Sequence, residues 1–263
     1  MFSSVAGRMF WCWLAAFTVM SLLFVVARQK RRYDVVDVGW GLSFVAIALT
    51  GYVLQPGNLL RFDPQALTTV LVMLWGLRLS WHITKRIVST ETEDRRYVEL
   101  RQKWKGNETR NIYFRIYVVQ SVLALLVSIP VVHINLAVDT SWSAWTMLGV
   151  VVWLFGYLAE VFADRQLAVF VASRSKKDTF ANIGLWRYAR HPNYFGEILM
   201  WWGIAIISLG TAYGWVGLGG AMLITYLIRY VSGVPLKEKH LAEKPGWEAY
   251  KTRTNRFIPL RKS

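Results

Sequence analysis

The chain has 263 residues, of which 54% are hydrophobic, and a formal net charge of +15. Soluble domains are usually less apolar than this, and no RNA- or DNA-binding motif accompanies the basic charge, so the composition argues against a nucleic-acid-binding protein. The single cysteine, Cys12, excludes a disulfide framework and a cysteine zinc cluster.

Seven apolar blocks follow one another along the chain, and most approach the length of about 20 residues that a helix needs to cross a hydrocarbon core. They fall near residues 9–27, 35–54, 66–84, 112–132, 142–163, 195–209 and 212–231. The blocks are too long for the strands of a membrane barrel and do not alternate. We therefore predict an all-α integral membrane bundle of about seven transmembrane helices, formed by a single membrane domain over residues 1–263.

The basic residues are concentrated between alternate blocks, in the segments 28–33, 85–115, 165–190 and 229–263. The positive-inside rule then predicts an outer N-terminus and a cytosolic C-terminus, with 85–111 as a cytosolic loop and helix segment. The basic charge is then explained by the orientation of the chain and by contacts with anionic lipid headgroups. The sequence defines no oligomeric state.

Charged residues inside these blocks are candidates for function, because charge within a membrane is costly and usually faces a cavity. Five of the six lie toward the predicted cytoplasmic ends of their spans, and Arg78 lies deeper. The six are Asp37, Arg78, Glu160, Asp164, Glu197 and Arg229. This distribution predicts a pocket that is open to cytosolic solutes and also reachable from lipid.

Each of these residues also has a structural interpretation. Asp37 is as well suited to capping a helix as to forming a site. Glu160 and Asp164 lie four residues apart on one helix face, where two acids more often pair with an arginine. Arg78 is predicted to be the structural partner of a buried acid, and Arg229 could extend its head to the membrane interface.

The stretch "RHPNYFGE" carries the densest set of polar residues. Pro192 suits the first turn of a helix, which leaves free backbone N–H groups beside Arg190, His191 and Asn193. Such an arrangement favours an anion or nucleotide clamp over a simple headgroup anchor, since Asn193, Tyr194 and Glu197 add directional hydrogen bonds. The four histidines are scattered, so we predict no metal site. The glycines of "GWVGLGGAM" are interpreted as close helix packing.

The motif "GLWRYARHPNYFGEILMWWG" resembles the C-terminal signature of the membrane steroid 5-alpha-reductase superfamily. Together with "DVVDVGWGLSF", "LWGLRLSWHI", "DRRYVELR" and "FADRQLAVF", it is most similar to the bacterial DUF1295 branch of that superfamily, which implies a location in a bacterial inner membrane. The resemblance implies a seven-helix bundle that binds NADP(H) from the cytosolic side and reduces a double bond conjugated to a carbonyl in a lipid or steroid-like substrate. Related signatures occur in isoprenylcysteine and phospholipid methyltransferases, which use S-adenosylmethionine.

By position, the resemblance implies that the part from 164 to 263 holds the cofactor. Residues at the family's cofactor positions are Asp164, Arg190, Asn193, Tyr194, Glu197 and Arg229, with Glu160 and Tyr188 as neighbours. The steroid reductases use a Gln-Glu pair and a tyrosine at the substrate carbonyl. This chain lacks the pair, and Asp37 and Tyr97 are the corresponding catalytic candidates, with Asp37 expected to be a neutral acid. The alternatives are a methyltransferase and a non-enzymatic lipid-binding protein.

Overall fold

The computed structural model describes residues 4–55, 61–138, 140–173 and 180–260, and within these ranges the chain is helical with no β-strand. The helices of the first half are α1 (Val5–Lys30), α2 (Val36–Val53), α3 (Pro64–Val88), α4 (Arg95–Lys103), α5 (Glu108–Ile112), α6 (Val119–Val127) and α7 (Ile129–Leu136). Those of the second half are α8 (Ala144–Ser173), α9 (Pro192–Ser208), α10 (Leu218–Tyr226), α11 (Val234–Leu241) and α12 (Trp247–Arg253).

Short turns with different hydrogen bonding join several of these helices. A π-helical turn, Tyr113–Val118, links α5 to α6, and a second, Leu227–Val231, follows α10. Such turns widen a helix by one residue and occur frequently at functional sites. The second turn carries Arg229, so this candidate residue lies where the helix is locally widened.

Among the described residues, six helical segments are long and apolar enough to cross a membrane. They are Val5–Lys30, Tyr33–Val53, Pro64–Val88, Glu108–Val127, Ala144–Ser173 and Gly214–Leu241. The remaining predicted span corresponds to α9, whose 17 residues are at the lower limit for a transmembrane helix. The helical membrane bundle is thus confirmed, whereas the seventh crossing and the cytosolic side remain predictions.

Several predicted boundaries differ from the structure, and two of them have a clear local cause. The span predicted to end near 163 continues as α8 to Ser173, because the ten residues after 163 contain neither glycine nor proline to end the helix. The block near 112–132 is interrupted after Val127, where Ser128 leaves the helix and Pro130 begins the first turn of α7. Proline is favoured in a first turn because its missing N–H has no helical partner there.

Helices α8 and α9 pack antiparallel through two pairs of facing glycines. A Cβ atom on Gly156 would lie 2.6 Å from the carbonyl oxygen of Gly196, and one on Gly149 would lie 2.5 Å from that of Gly203. Any larger residue would push the two backbones apart, so glycine is what lets them approach this closely. The contact fixes α9 against α8 along much of its length.

A similar approach joins α2 to α3. A Cβ atom on Gly41 would lie 2.4 Å from the carbonyl oxygen of Gly76, and the Ser80 hydroxyl donates to the carbonyl of Val38 at 2.9 Å. Helix α2 also contacts α1, α6 and α7, so it lies near the centre of the bundle. The glycines of "GWVGLGGAM" were predicted to pack closely against a neighbouring helix. Gly220 does so, since it faces the backbone of Val127.

Candidate functional site

Polar side chains from four helices meet inside one end of the bundle, and we call this group the polar interior. It comprises Asp37 and Trp40 of α2, Trp75 and Arg78 of α3, Glu160 and Asp164 of α8, and Asn193, Tyr194 and Glu197 of α9. The end is where α2 and α9 begin and where α3 and α8 end. The clustering predicted from the charge distribution along the chain is therefore present.

Arg78 is the basic centre of the polar interior. Its guanidinium donates to Asp164 Oδ2 at 2.9 Å and forms an ion pair with Glu160, and it lies 5.8 Å from the ring centre of Tyr157. The indole N–H of Trp75 donates to Glu160 Oε2 at 3.1 Å. The predicted pairing of Arg78 with buried acids is thus confirmed, and the two acids four residues apart share one arginine.

The first turns of α9 complete this cluster. The Asn193 amide donates to Asp164 Oδ1 at 3.3 Å, and the indole of Trp40 donates to the Glu197 carboxyl. Glu197 is buried, with 9% of its surface exposed. Three buried carboxyl groups therefore face a single guanidinium, and the remaining polar contacts come from neutral donors.

Asp37 and Tyr97 lie in direct contact, although 60 positions separate them in the sequence. The Tyr97 hydroxyl donates to Asp37 Oδ1 at 2.5 Å, and Arg96 binds Asp37 Oδ2 at 2.8 Å. Asp94 caps α4 and holds the same Arg96 guanidinium at 2.9 Å. Arg86 of α3 approaches Asp37 at 3.5 Å. Asp37 therefore accepts hydrogen bonds within an ion pair.

Burial raises the pKa of the Tyr97 hydroxyl well above its usual value of 10.0, and the negative charge of Asp37 raises it further. Only 5% of the Tyr97 surface is exposed. The hydroxyl therefore stays protonated at neutral pH and is available as a donor. Arg96 places a positive charge beside Asp37, so the carboxyl group that holds Tyr97 is itself held by a charge-assisted hydrogen bond.

Arg190 is used differently from the phosphate contact expected from the sequence. Its guanidinium donates to Glu238 Oε1 at 2.8 Å and to the carbonyl oxygens of Thr254 and Lys251 at 2.6 and 3.2 Å. Only 6% of the residue is exposed. These three hydrogen bonds tie the C-terminal segment to the start of α9, so Arg190 has a structural role, and its contact with a phosphate stays a prediction.

His191 belongs to the same C-terminal contact. Its Nε2 lies 3.3 Å from Glu238 Oε1, its ring stacks on Tyr194 with the centres 5.5 Å apart, and its backbone N–H donates to the carbonyl of Arg256. Burial lowers the pKa of His191 below its usual value, although Glu238 opposes that change. His191 thus acts as a buried neutral ring at this contact.

Two other predicted cofactor residues, Arg229 and Tyr188, lie around the rim of the polar interior, whereas Tyr194 belongs to it. Arg229 is exposed, and its guanidinium lies over the rings of Tyr230 and Phe257 at 5.2 and 6.0 Å. Tyr188 is also exposed, and its backbone carbonyl accepts from Asn255 N at 2.9 Å while its backbone N–H donates to the carbonyl of Leu185 at 3.1 Å. Tyr194 lies within electrostatic range of Asp37 and Arg96 and so connects α9 to the Asp37 contact.

Several residues that complete these contacts were not predicted from the sequence. Arg96 is the direct neighbour of Tyr97 in "DRRYVELR", so its adjacency was the available signal. Glu238 in "LKEKH" had no such signal, because its partner Arg190 lies 48 positions earlier. Lys237 is within electrostatic range of Asp37 and Asp94, which adds a basic group from α11 to the rim.

The model of the family described as "Protein of unknown function (DUF1295)" matches residues 23–254. The chain therefore belongs to the DUF1295 family. It is also similar to "Uncharacterized protein C594.04c" of Schizosaccharomyces pombe (strain 972), with 25% identity over 94% of this chain and 78% of the yeast protein. No solved structure matches the chain.

Proposed function

We propose that the protein is a membrane-embedded, NADPH-dependent reductase of a carbon–carbon double bond conjugated to a carbonyl in a lipid-like substrate. The observation that carries this proposal is the protonated Tyr97 hydroxyl held at 2.5 Å by Asp37 beside the polar interior. Reduction of such a double bond generates negative charge on the carbonyl oxygen, which a well-positioned donor stabilises.

Tyr97 is the group that would donate to the developing enolate oxygen. A phenol has a single O–H, so Tyr97 would turn it from Asp37 to the substrate oxygen, while Asp37 would keep its contact with Arg96, which lies 2.8 Å from its second oxygen. This arrangement replaces the pair of donors expected from the sequence with one donor and one positioning carboxylate. The buried position of the phenol keeps it protonated, so the donor is present across the neutral pH range.

The residues of the polar interior have groups that suit a dinucleotide. The buried Nε of Arg78 has no hydrogen-bond partner within the described part of the chain, so one donor remains to be used. Asn193 and Asp164 would bind amide or ribose groups, and Arg229 at the rim would bind phosphate. When bound, NADPH would supply a hydride to the β carbon of the substrate, and a proton from water at the α carbon would then complete the reduction.

Cofactor binding is the experiment that tests this proposal. The detergent-purified protein is heated with NADPH, NADH or S-adenosylmethionine, since a ligand that binds the folded state raises the apparent melting temperature. We expect NADPH alone to raise it, and Arg229→Gln to weaken the effect. Arg229 is exposed, so its replacement should leave the melting temperature without ligand nearly unchanged.

Arg187→Gln is the matched control, because this arginine is also exposed and lies outside the polar interior. It should retain the full NADPH effect. Stabilisation by S-adenosylmethionine alone would identify a methyl-donor site and reject the reductase. Stabilisation by neither cofactor would favour a non-enzymatic lipid-binding protein.

A further inference from the structure

A separate cavity of about 460 Å³ lies between the end of α4 and the first turns of the following span, outside the polar interior. Two asparagines, a glycine, a phenylalanine and three basic residues line it. They are Lys105, Gly106, Asn107, Arg110, Asn111, Phe114 and Arg115. The composition is basic and polar on one side and aromatic on the other.

The basic side chains of this cavity have no carboxylate partner within the described part of the chain. Lys105 and Arg110 form no ion pair there, and Arg115 lies over the ring of Trp104 at 5.4 Å. Glu108, the acid nearest in sequence, already lies 3.6 Å from Arg101. The cavity therefore combines three positive charges that the protein itself does not balance, which suits a ligand with a negative charge.

Side-chain hydrogen bonds hold the loop that carries these charges. Asn107 accepts a hydrogen bond from the backbone N–H of Arg110 at 3.0 Å, and the Asn111 amide donates to the carbonyl of Lys105 at 3.1 Å. Gly106 has a φ of 94°, which favours glycine. The positions of Lys105 and Arg110 are thus fixed on the backbone, although their side-chain ends are free to meet a ligand.

The cavity lies at the boundary of the membrane. The span Glu108–Val127 starts among its lining residues, and Phe114 is 56% exposed on the same helix. The Phe114 ring contacts Tyr113 at 5.1 Å, which contacts Phe24 at 4.8 Å. Phe24 in turn lines a second, mainly apolar groove on α1 that ends at Arg28.

We propose that this cavity binds the headgroup of an anionic phospholipid. Lys105, Arg110 and Arg115 would bind the phosphate, the Asn107 amide N–H groups would bind the polar headgroup, and the acyl chains would lie on Phe114 and the groove at Phe24. A free phosphate would use only the basic side. The aromatic side and the position at the start of a span therefore favour a lipid as the source of the phosphate.

Lipid binding is measured by native mass spectrometry of the full chain in a nonionic detergent. The protein is titrated with phosphatidylglycerol, phosphatidylcholine or inorganic phosphate. The test variant is Lys105→Gln with Arg110→Gln. The matched control is Arg165→Gln with Arg187→Gln, which removes the same charge from exposed positions outside the cavity.

We expect one phosphatidylglycerol to bind more tightly than phosphatidylcholine, and the test variant to weaken it by about tenfold through the loss of charge-assisted hydrogen bonds. The control should retain the affinity of the wild type. Equal affinity for the two lipids would overturn the proposal, as would equal losses in the two double variants. Displacement of phosphatidylglycerol by an equal concentration of inorganic phosphate would instead identify a free-anion site and also reject the lipid.

Discussion

Arg96 and Arg190 both pair with a carboxylate near the polar interior, but their remaining hydrogen bonds go to different places. Arg96 binds Asp37 and Asp94, and so supports the carboxylate that holds Tyr97. Arg190 binds Glu238 and two backbone carbonyls of the C-terminal segment. The first arginine supports a group that faces the candidate site, whereas the second joins two parts of the fold.

This difference shows that the role of a buried arginine depends on the groups to which its N–H donors are directed. Both residues lie in polar motifs that resemble functional signatures, and the residue types alone favour an anion site for Arg190. A guanidinium with its donors already bound to protein oxygens has little to offer a phosphate. Changes at Arg190 should therefore lower mainly stability, whereas changes at the contact of Arg96, Asp37 and Tyr97 should lower mainly activity.

Replacement of Arg190 should give the largest loss of stability. Arg190→Ala removes one partner of a buried ion pair and leaves two carbonyls without a donor, a change that typically costs about 3–5 kcal/mol. We expect a clear fall in the apparent melting temperature and faster trypsin cleavage after residue 234. Arg187→Ala, at an exposed neighbouring position, is the control. An unchanged melting temperature for Arg190→Ala would show that the C-terminal contact is not structural.

A change in the glycine contact between α8 and α9 should give the next largest loss of stability. It tests whether the packing of α9 on α8 supports both the polar interior and the contact of Arg190 with the C-terminal segment. Gly196→Ala places a Cβ atom 2.5 Å from the carbonyl oxygen of Gly156. Overpacking of this kind costs about 1–3 kcal/mol. In Gly219→Ala the new Cβ atom meets nothing within 4 Å, so this control should be neutral or slightly stabilising. Equal melting temperatures would contradict the close helix contact.

Tyr97→Phe should have the opposite effect to a change at Arg190, with a small loss of stability and a large loss of activity. Loss of one hydroxyl hydrogen bond changes stability by only about 1 kcal/mol, because Asp37 keeps its ion pair with Arg96. If the proposed reductase function is correct, NADPH-dependent turnover of an enone that the wild type reduces should fall by about 10²–10³-fold. Full turnover in this variant would remove Tyr97 from the catalytic step.

The pH dependence at His191 should be the smallest effect. Burial lowers the pKa of His191 in the folded protein, whereas the unfolded chain has the usual value of about 6.5. The stability contributed by the neutral ring is present above about pH 6.5 and is lost as the pH falls through the lower, folded pKa. His191→Asn should therefore reduce the fall of melting temperature with acidification. An equal fall of the melting temperature in the wild type and the variant would show that His191 does not cause this pH dependence.

The sequence predicted the helical spans well where apolar blocks are long. The third span was predicted at 66–84 and forms Pro64–Val88. Helix α8 ends at Ser173, ten residues beyond the predicted end of its span near 163. Hydropathy marks where a helix leaves the membrane but does not show where the helix itself ends. The charged residues that follow remain helical because the register continues to bring Asp164 onto Arg78.

The candidate site was predictable in part. Two acids on one helix face and a single arginine deep in another span indicated the Arg78 cluster, because a buried charge needs a partner whatever the fold. The contact between Asp37 and Tyr97 was expected only from the family resemblance, and the ion pair between Asp37 and Arg96 was not predicted. Nothing in the sequence indicated Glu238 as the partner of Arg190.

The sequence by itself determined that this protein is a helical membrane bundle with its buried charges gathered at one end. Hydropathy and charge are properties of each segment. The free-energy cost of placing a charged side chain in lipid therefore does not depend on how the helices pack. Only the tertiary structure decided which acceptors the N–H groups of the buried arginines bind. The glycine contacts set which helices lie side by side, and that arrangement directs Arg96 to Asp37 and Arg190 to the C-terminal segment.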